Sequence, residues 1–313
     1  MTATRRPRIC VVGSANVDLT ARVSRLPRLG ETLVGRSFHL GYGGKGANQA
    51  VMAAHLEAQA TLVARVGRDV FGEGGRHNLQ AEGVETAYVR PDAERFSGVA
   101  QILVDDSAQN VIVVSPGANL GLQPADVRDA SAMIRGADIV IGQLEVPIET
   151  TLEAFRLARA ARVRTILNPA PAGALIQELL AAAEMCVLNE LEAEQLSGVP
   201  ATTLPQVEEA ARVLLARGPA VVIVTLGADG ALVVDQKSAA HVPAIRVDAV
   251  DPTGAGDAFI GSLAVYLAEG LPLQAAVRRA NAVAALTVMR VGAQDSYPRR
   301  AEVDAFFARQ RLD

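Results

Sequence analysis

Asp138–Leu144 reads DIVIGQL, Glu149–Ala161 reads ETTLEAFRLARAA, and Val163–Asn168 reads VRTILN. The outer two are short apolar runs, which predict buried strands, and the longer pattern between them predicts a helix. Strand, helix and strand in that order make a βαβ unit, and the rhythm extends both ways. Upstream it predicts strand Arg8–Gly13, helix Ala47–Glu57, strand Thr61–Val66 and helix Phe71–Glu82. Downstream come strand Cys186–Asn189, helix Gln206–Arg217 and strand Ala220–Leu226. Such alternation predicts an α/β fold, a mainly parallel sheet sandwiched by helices on both faces. The chain ends differently, with helices expected over Gly254–Glu269, Leu273–Val288 and Arg300–Arg309 and no strands between them.

Two stretches break the rhythm. Asn16–Leu40 and Ser97–Ser115 read as strands joined by turns, such as Gly98–Val104, the turn Asp105-Asp106, then Asn110–Val114. Together they predict a small antiparallel sheet, a β lid formed by about residues 16–40 and 97–115 over the parallel sheet. Its exposed apolar face would need a partner, most economically a second copy of the chain. Two surface hairpins with no joint role are the alternative.

At 313 residues the chain has ample length for a large core, and no linker, repeat or low-complexity segment divides it, so a single domain over 1–313 is expected. A net charge of -4 and a pI of about 5.7 offer no basic field to nucleic acid or to an anionic membrane. Aromatic residues make up 4% with no Trp, which argues against a base-stacking surface. No apolar run approaches the roughly 18–20 residues of a bilayer span. Polar Thr2–Arg8 leads directly into a strand rather than a signal-peptide core. A soluble, cytoplasmic enzyme or binding protein is the expectation. Cys10 and Cys186 lie in apolar runs and are expected as buried thiols, and the four His residues show no zinc spacing.

The segment richest in chemistry is Asp251-Pro252-Thr253-Gly254-Ala255-Gly256-Asp257-Ala258-Phe259. Its glycines let backbone approach a ligand, and the N–H groups opening a helix form an anion site. A phosphate there would sit beside Asp257, a potential proton acceptor. The bland reading is an acidic helix cap. Phosphoryl transfer explains more of the segment.

Gly41-Tyr42-Gly43-Gly44-Lys45-Gly46-Ala47-Asn48-Gln49 is a second glycine-rich turn. It matches the dinucleotide pattern Gly-x-Gly-x-x-Gly but lacks the acidic partner after the next strand, which disfavours a dinucleotide-dependent oxidoreductase. A phosphate-binding Walker loop fails at His39 and Gly46. What remains is a turn that brings N–H groups, Lys45 and Asn48 together, as polyol recognition requires. Asn16, Asp18 and Glu145 follow predicted strands, where α/β sheets collect ligands, although each could serve as a turn or cap residue. Asn189-Glu190-Leu191-Glu192 could order water around Mg²⁺ or simply open a helix. Thr225-Leu226-Gly227-Ala228-Asp229-Gly230 offers backbone room for a nucleotide, or is a plain turn.

Taken together and in order, these segments resemble the ribokinase-like carbohydrate kinases of the PfkB family across essentially the whole chain. Gly43–Ala50 is similar to that family's N-terminal signature and Asp251–Asp257 to its C-terminal one; Asn168–Pro171, Asn189–Glu194 and Thr225–Gly230 match further segments. The resemblance implies ATP-dependent phosphorylation of the 5-hydroxyl of D-ribose by a homodimer. It implies Asp257 as catalytic base and Gly254, Ala255 and Gly256 as anion hole. Sugar contacts fall on Asn16, Asp18, Gly44, Lys45, Gly46, Ala47, Asn48, Glu145 and Asp257. The nucleotide side takes Asn189, Thr225, Leu226, Gly227, Ala228, Asp229, Gly230, Gly256, Asp257 and Asn281, with Glu192 organising Mg²⁺ indirectly. An activating K⁺ is implied at Asp251, Thr253, Thr287, Arg290, Gly292 and Ser296, largely through carbonyls. Two residues depart from the family pattern: Pro252 stands for a common Thr, and Asn281 for a frequent His. A kinase for a nucleoside or another pentose or keto sugar is the nearest alternative. A non-catalytic sugar sensor is a further one, disfavoured by the retained Asp257, Gly254 and Gly256.

Overall fold

In the first strand, β1 (Arg8–Val12), Ile9 and Val11 enter one hydrophobic core while Cys10 and Val12 enter another. A strand with no polar face must be covered on both sides, which parallel βαβ connections achieve. The computed structural model describes residues 5–107, 109–173 and 176–310; of the stretches read above, Met1–Thr4 and Ala108 lie outside them.

The remaining strands are β2 (Asn16–Arg22), β3 (Ser37–Gly43), β4 (Gln59–Gly67), β5 (Val89–Asp92), β6 (Gly98–Val104), β7 (Asn110–Ser115), β8 (Ile139–Gly142), β9 (Arg164–Leu167), β10 (Met185–Asn189), β11 (Val221–Thr225), β12 (Ala231–Asp235) and β13 (Ala239–Val242). The large sheet runs β13-β12-β11-β10-β9-β8-β1-β4-β5. Its strands are parallel from β5 to β11, and β12 and β13 close one edge as antiparallel neighbours.

One face carries α1 (Lys45–His55) and α2 (Val70–Ala81). It also carries α9 (Ala255–Ala268), α10 (Leu273–Val288) and α11 (Arg300–Gln310). The other carries α3 (Pro124–Asp129), α4 (Ser131–Gly136), α5 (Ile148–Ala160), α6 (Gln177–Ala182), α7 (Glu190–Ser197) and α8 (Leu204–Leu215). Cys10 and Cys186 are free and buried, and burial pushes each thiol up to about 12.

The lid departs from expectation in one respect. Its order is β3-β2-β6-β7, and each hairpin is internally antiparallel, but the two meet through a parallel β2–β6 pair. The expected wholly antiparallel sheet is therefore corrected to a mixed one. Both insertions leave strand ends of the parallel sheet in the same direction, so their first strands run side by side. Phe38, Leu40 and all of β7 stay exposed on this small sheet.

Candidate active site

Everything in the site converges on Asp257, in the first turn of α9. Its carboxylate is 7% exposed. Oδ2 accepts from Asn48 Nδ2 at 3.0 Å and Oδ1 from Gln49 Nε2 at 2.9 Å, both on α1. Burial raises its proton affinity, Glu145 adds to the rise, and the Lys45 charge and the two amide donors oppose it.

Gly254 caps α9 in the left-handed conformation, at φ 77°. Tyr297 donates its phenolic hydrogen to the Gly254 carbonyl at 3.0 Å and locks the turn from behind. Among the described residues, a Cβ at Gly256 would meet nothing within 4 Å. That empty space belongs to a cavity of about 200 Å³ lined by Lys45, Asn168, Asn189, Glu192, Thr225 and Gly256 among others. A larger groove of about 680 Å³ runs along the start of α2, open to solvent and away from Asp257.

On the side toward the lid, Glu145 Oε2 accepts from Ser14 Oγ at 2.5 Å and from the Lys45 N–H at 3.0 Å. Lys45 is drawn in among carboxylates. Burial lowers its proton affinity, but Asp257, Glu145 and Glu192 more than compensate and the ammonium is held. Asp18 on β2 is pushed up to about 6 by burial, then by Glu145 and Asp257, with His39 opposing. Asn16 Oδ1 accepts from Asn119 Nδ2 at 2.6 Å, which leaves its own NH₂ available. Gly44, at φ 89°, turns the chain from β3 into α1 against the backbone of Asn16. Gly46 and Ala47 are buried at the start of that helix, with the Ala47 N–H donating to the Ser14 carbonyl at 2.8 Å.

On the opposite side, Asn189 caps α7, its side chain accepting from the Glu192 N–H while Glu192 accepts from the Asn189 N–H. The cap and the acidic cluster are thus the same feature. Thr225 ends β11, and Leu226–Gly230 forms a tight turn into β12, with Gly227, Ala228 and Asp229 exposed. Asn281 is buried on α10 and donates to the Val242 and Pro243 carbonyls at 3.1 and 3.2 Å. It braces the segment after β13, and its amide hydrogens are committed there.

Asp251 joins two loops: Oδ1 accepts from the Thr253 N–H and Oδ2 from the Gly292 N–H, each at 2.9 Å. These donors hold its carboxyl below the usual range against the effect of burial. Thr287 and Ser296 hydroxyls donate to the Val283 and Ala293 carbonyls, and the Arg290 guanidinium pairs with Glu302.

Gln49, Gln143, Asn119, Gln294 and Tyr297 also meet here, and sequence reading did not single them out. Gln49 stood within a quoted motif. The others come from segments with no motif of their own.

Residues 6–300 match the pfkB family carbohydrate kinase description. The chain is 41% identical over 300 residues to a ribokinase of Mus musculus, spanning 94% of this chain and 93% of that protein. It is 40% identical over 291 residues to a deoxyribokinase of Salmonella typhi, spanning 93% and 95%. The solved structure of an Arabidopsis thaliana ribokinase complexed with ribose and ATP superposes with a TM-score of 0.92 at 32% identity, covering 96% of this chain and 99% of the other. With a buried acid at the head of a glycine-opened helix and likeness over nearly its full length, the chain belongs to the pfkB family of carbohydrate kinases and is an enzyme of the ribokinase type.

Proposed function

We propose that the chain transfers the γ-phosphoryl group of ATP to the 5-hydroxyl of D-ribose, forming D-ribose 5-phosphate and ADP. One observation carries the reading: a buried carboxylate, Asp257, faces the same cavity as the unobstructed Gly256 backbone. Asp257 takes the hydroxyl proton as that oxygen bonds to phosphorus and the bridging oxygen leaves with ADP. The N–H groups of Gly254, Ala255 and Gly256 receive the charge on the transferred group. Asn16, Asp18, Gly44, Lys45, Asn48 and Glu145 hold the sugar, and Gly46 and Ala47 hold the turn that presents them. Asn189 and Thr225–Gly230 receive the nucleotide, with Asn281 bracing the wall behind it.

Mg²⁺ bound with ATP would neutralise phosphate charge. Glu192 and Asn189 suit it, because Mg²⁺ keeps most of its waters and needs few protein oxygens. Asp251, Thr253, Thr287, Arg290, Gly292 and Ser296 would hold K⁺ through carboxylate, hydroxyl and carbonyl oxygens, a donor set that suits a hard monovalent cation. It would steady the turn before Gly254. The lid would exclude water, and two copies would pair through the apolar surface of Phe38, Leu40 and β7 to form a homodimer. Residues 1–313 would act as one catalytic domain, without nucleic acid or membrane partners.

A kinase acting on 2-deoxyribose is the second reading, favoured by the 40% identity to a deoxyribokinase. The test is ATP consumption with D-ribose, 2-deoxyribose, fructose and adenosine, each with and without potassium. Ribose-dependent turnover raised by potassium is expected. Preference for 2-deoxyribose or adenosine would overturn the substrate assignment and leave the transfer chemistry. Ribose binding without turnover would make the chain a sensor.

A further inference from the structure

An ionised carboxylate only accepts hydrogen bonds, so any amide touching Asp257 must present its NH₂. Gln49 does so, with Nε2 2.9 Å from Asp257 Oδ1 and 3.3 Å from Asn168 Oδ1. Its Oε1 then faces away and accepts from Gln143 Nε2 at 2.6 Å. Gln143 is fully buried, and among the described residues its own Oε1 has no partner. A bare buried oxygen is destabilising, and an apolar side chain would fill the same space without it. Gly13 makes room for this side chain, since a Cβ there would lie 1.9 Å from Gln143 Oε1. The chain thus keeps a polar group where folding alone favours an apolar one.

A second arm has the same polarity. Asn48 donates to Asp257 Oδ2, accepts from Gln294 Nε2 at 3.0 Å, and Gln294 accepts from Asn78 Nδ2 at 2.8 Å. Every amide in both arms turns its NH₂ toward the carboxylate.

We propose that Gln143 is a positioning residue for phosphoryl transfer, acting through Gln49 to hold the Asp257 carboxylate in one orientation. The inference rests on Asp257 as the base. Without Gln143 the Gln49 amide loses the donor that fixes its oxygen and keeps only Asp257 and Asn168 Oδ1 to orient it; whenever it turns over, it presents its oxygen to the carboxylate. That repulsion favours the protonated acid, which cannot take the hydroxyl proton. The other groups facing Asp257 are Lys45 on α1, Glu145 after β8, Asp18 on β2, Glu192 on α7 and the Tyr297 phenol before α11. All are retained in the variants below.

The test is the pH profile of kcat at saturating ribose and ATP for Gln143→Leu, Gln49→Met and the double variant, beside Asp257→Asn. Saturating sugar keeps the Asp18 carboxyl, which burial pushes up to about 6, from moving the limb through KM. Gln143→Leu is expected to move the acid limb up by about one pH unit, with KM for ribose changed by less than about twofold. Gln49→Met should move it at least as far, and the double variant no further, as coupled positions require. An unmoved limb, additive shifts, or a fall in kcat equal at every pH would overturn the relay. Gln143→Met carries the same expectation should the leucine variant fail to fold. Substantial turnover by Asp257→Asn removes the base reading and the relay with it. An inactive Asp257→Asn with an unmoved Gln143→Leu limb removes the relay alone.

Discussion

Gly254 and Gly256 stand two residues apart at the head of α9, and an alanine meets different surroundings at each. At Gly254 the backbone sits at φ 77°, which costs an alanine about 1–2 kcal/mol. The added Cβ would also lie 2.9 Å from Tyr297 Oη and 3.0 Å from Ala293 Cα, so the loss rises to roughly 2–3 kcal/mol. At Gly256 the backbone is helical and the Cβ position is empty. Alanine there restricts the unfolded chain and stabilises by about 0.5–1 kcal/mol. With 313 residues and an unfolding entropy of about 2.1 cal/mol/K per residue, each kcal/mol shifts Tm by roughly 1.5 °C. Gly254→Ala is therefore expected to melt about 3–5 °C lower, and Gly256→Ala about 1 °C higher. Turnover should fall in both. The Gly256 methyl occupies the space of the transferred group, and displacement near 1 Å costs about 100-fold. Thermal unfolding by circular dichroism and ADP formation with ribose measure the two effects separately. A Gly256→Ala enzyme with kcat within about threefold of the parent would refute the placement of the phosphoryl group.

Further outcomes follow from the same geometry. Asp257→Asn should keep the fold and sugar binding while kcat drops by about 10²–10⁴; retained turnover would take the base role from Asp257. The Asp18 carboxyl, pushed up to about 6, gains its proton as pH falls through that value and stops accepting from the sugar. KM for ribose should therefore rise below about pH 6, and Asp18→Asn should raise KM while removing that dependence; a KM flat from pH 5 to 8 would count against the contact. Tyr266 is buried between Arg279 and Arg300, and its hydroxyl has no partner among the described residues. Tyr266→Phe should be neutral or stabilising by up to about 1 kcal/mol in denaturant unfolding, and a clear loss of stability would reveal a partner for that oxygen.

Much of this protein is local in origin. The strands Arg8–Val12 and Val221–Thr225 arise from unbroken apolar runs and the helix Leu273–Val288 from side-chain periodicity, each within one segment, so their own residues predict them. The turn Gly254–Asp257 announces its chemistry because the glycines and the acid are neighbours in the chain. Short helices such as α3, α4 and α6, of six residues each, escape that reading because they are too brief to establish a period. The pairing of the lid was not legible either: β2 meets β6 because both leave the large sheet in one direction, a property of the whole topology. Least legible was the environment of Asp257. Its donor Gln49 lies 208 positions away, and the Gln143 that orients Gln49 another 94. Hydrogen-bond polarity in a buried site depends on which groups the fold places within about 3 Å, and no spacing along one segment encodes it. Sequence alone determined the longer elements and the reactive turn; tertiary structure decided which side chains surround the carboxylate, because those contacts exist only once distant segments are packed together.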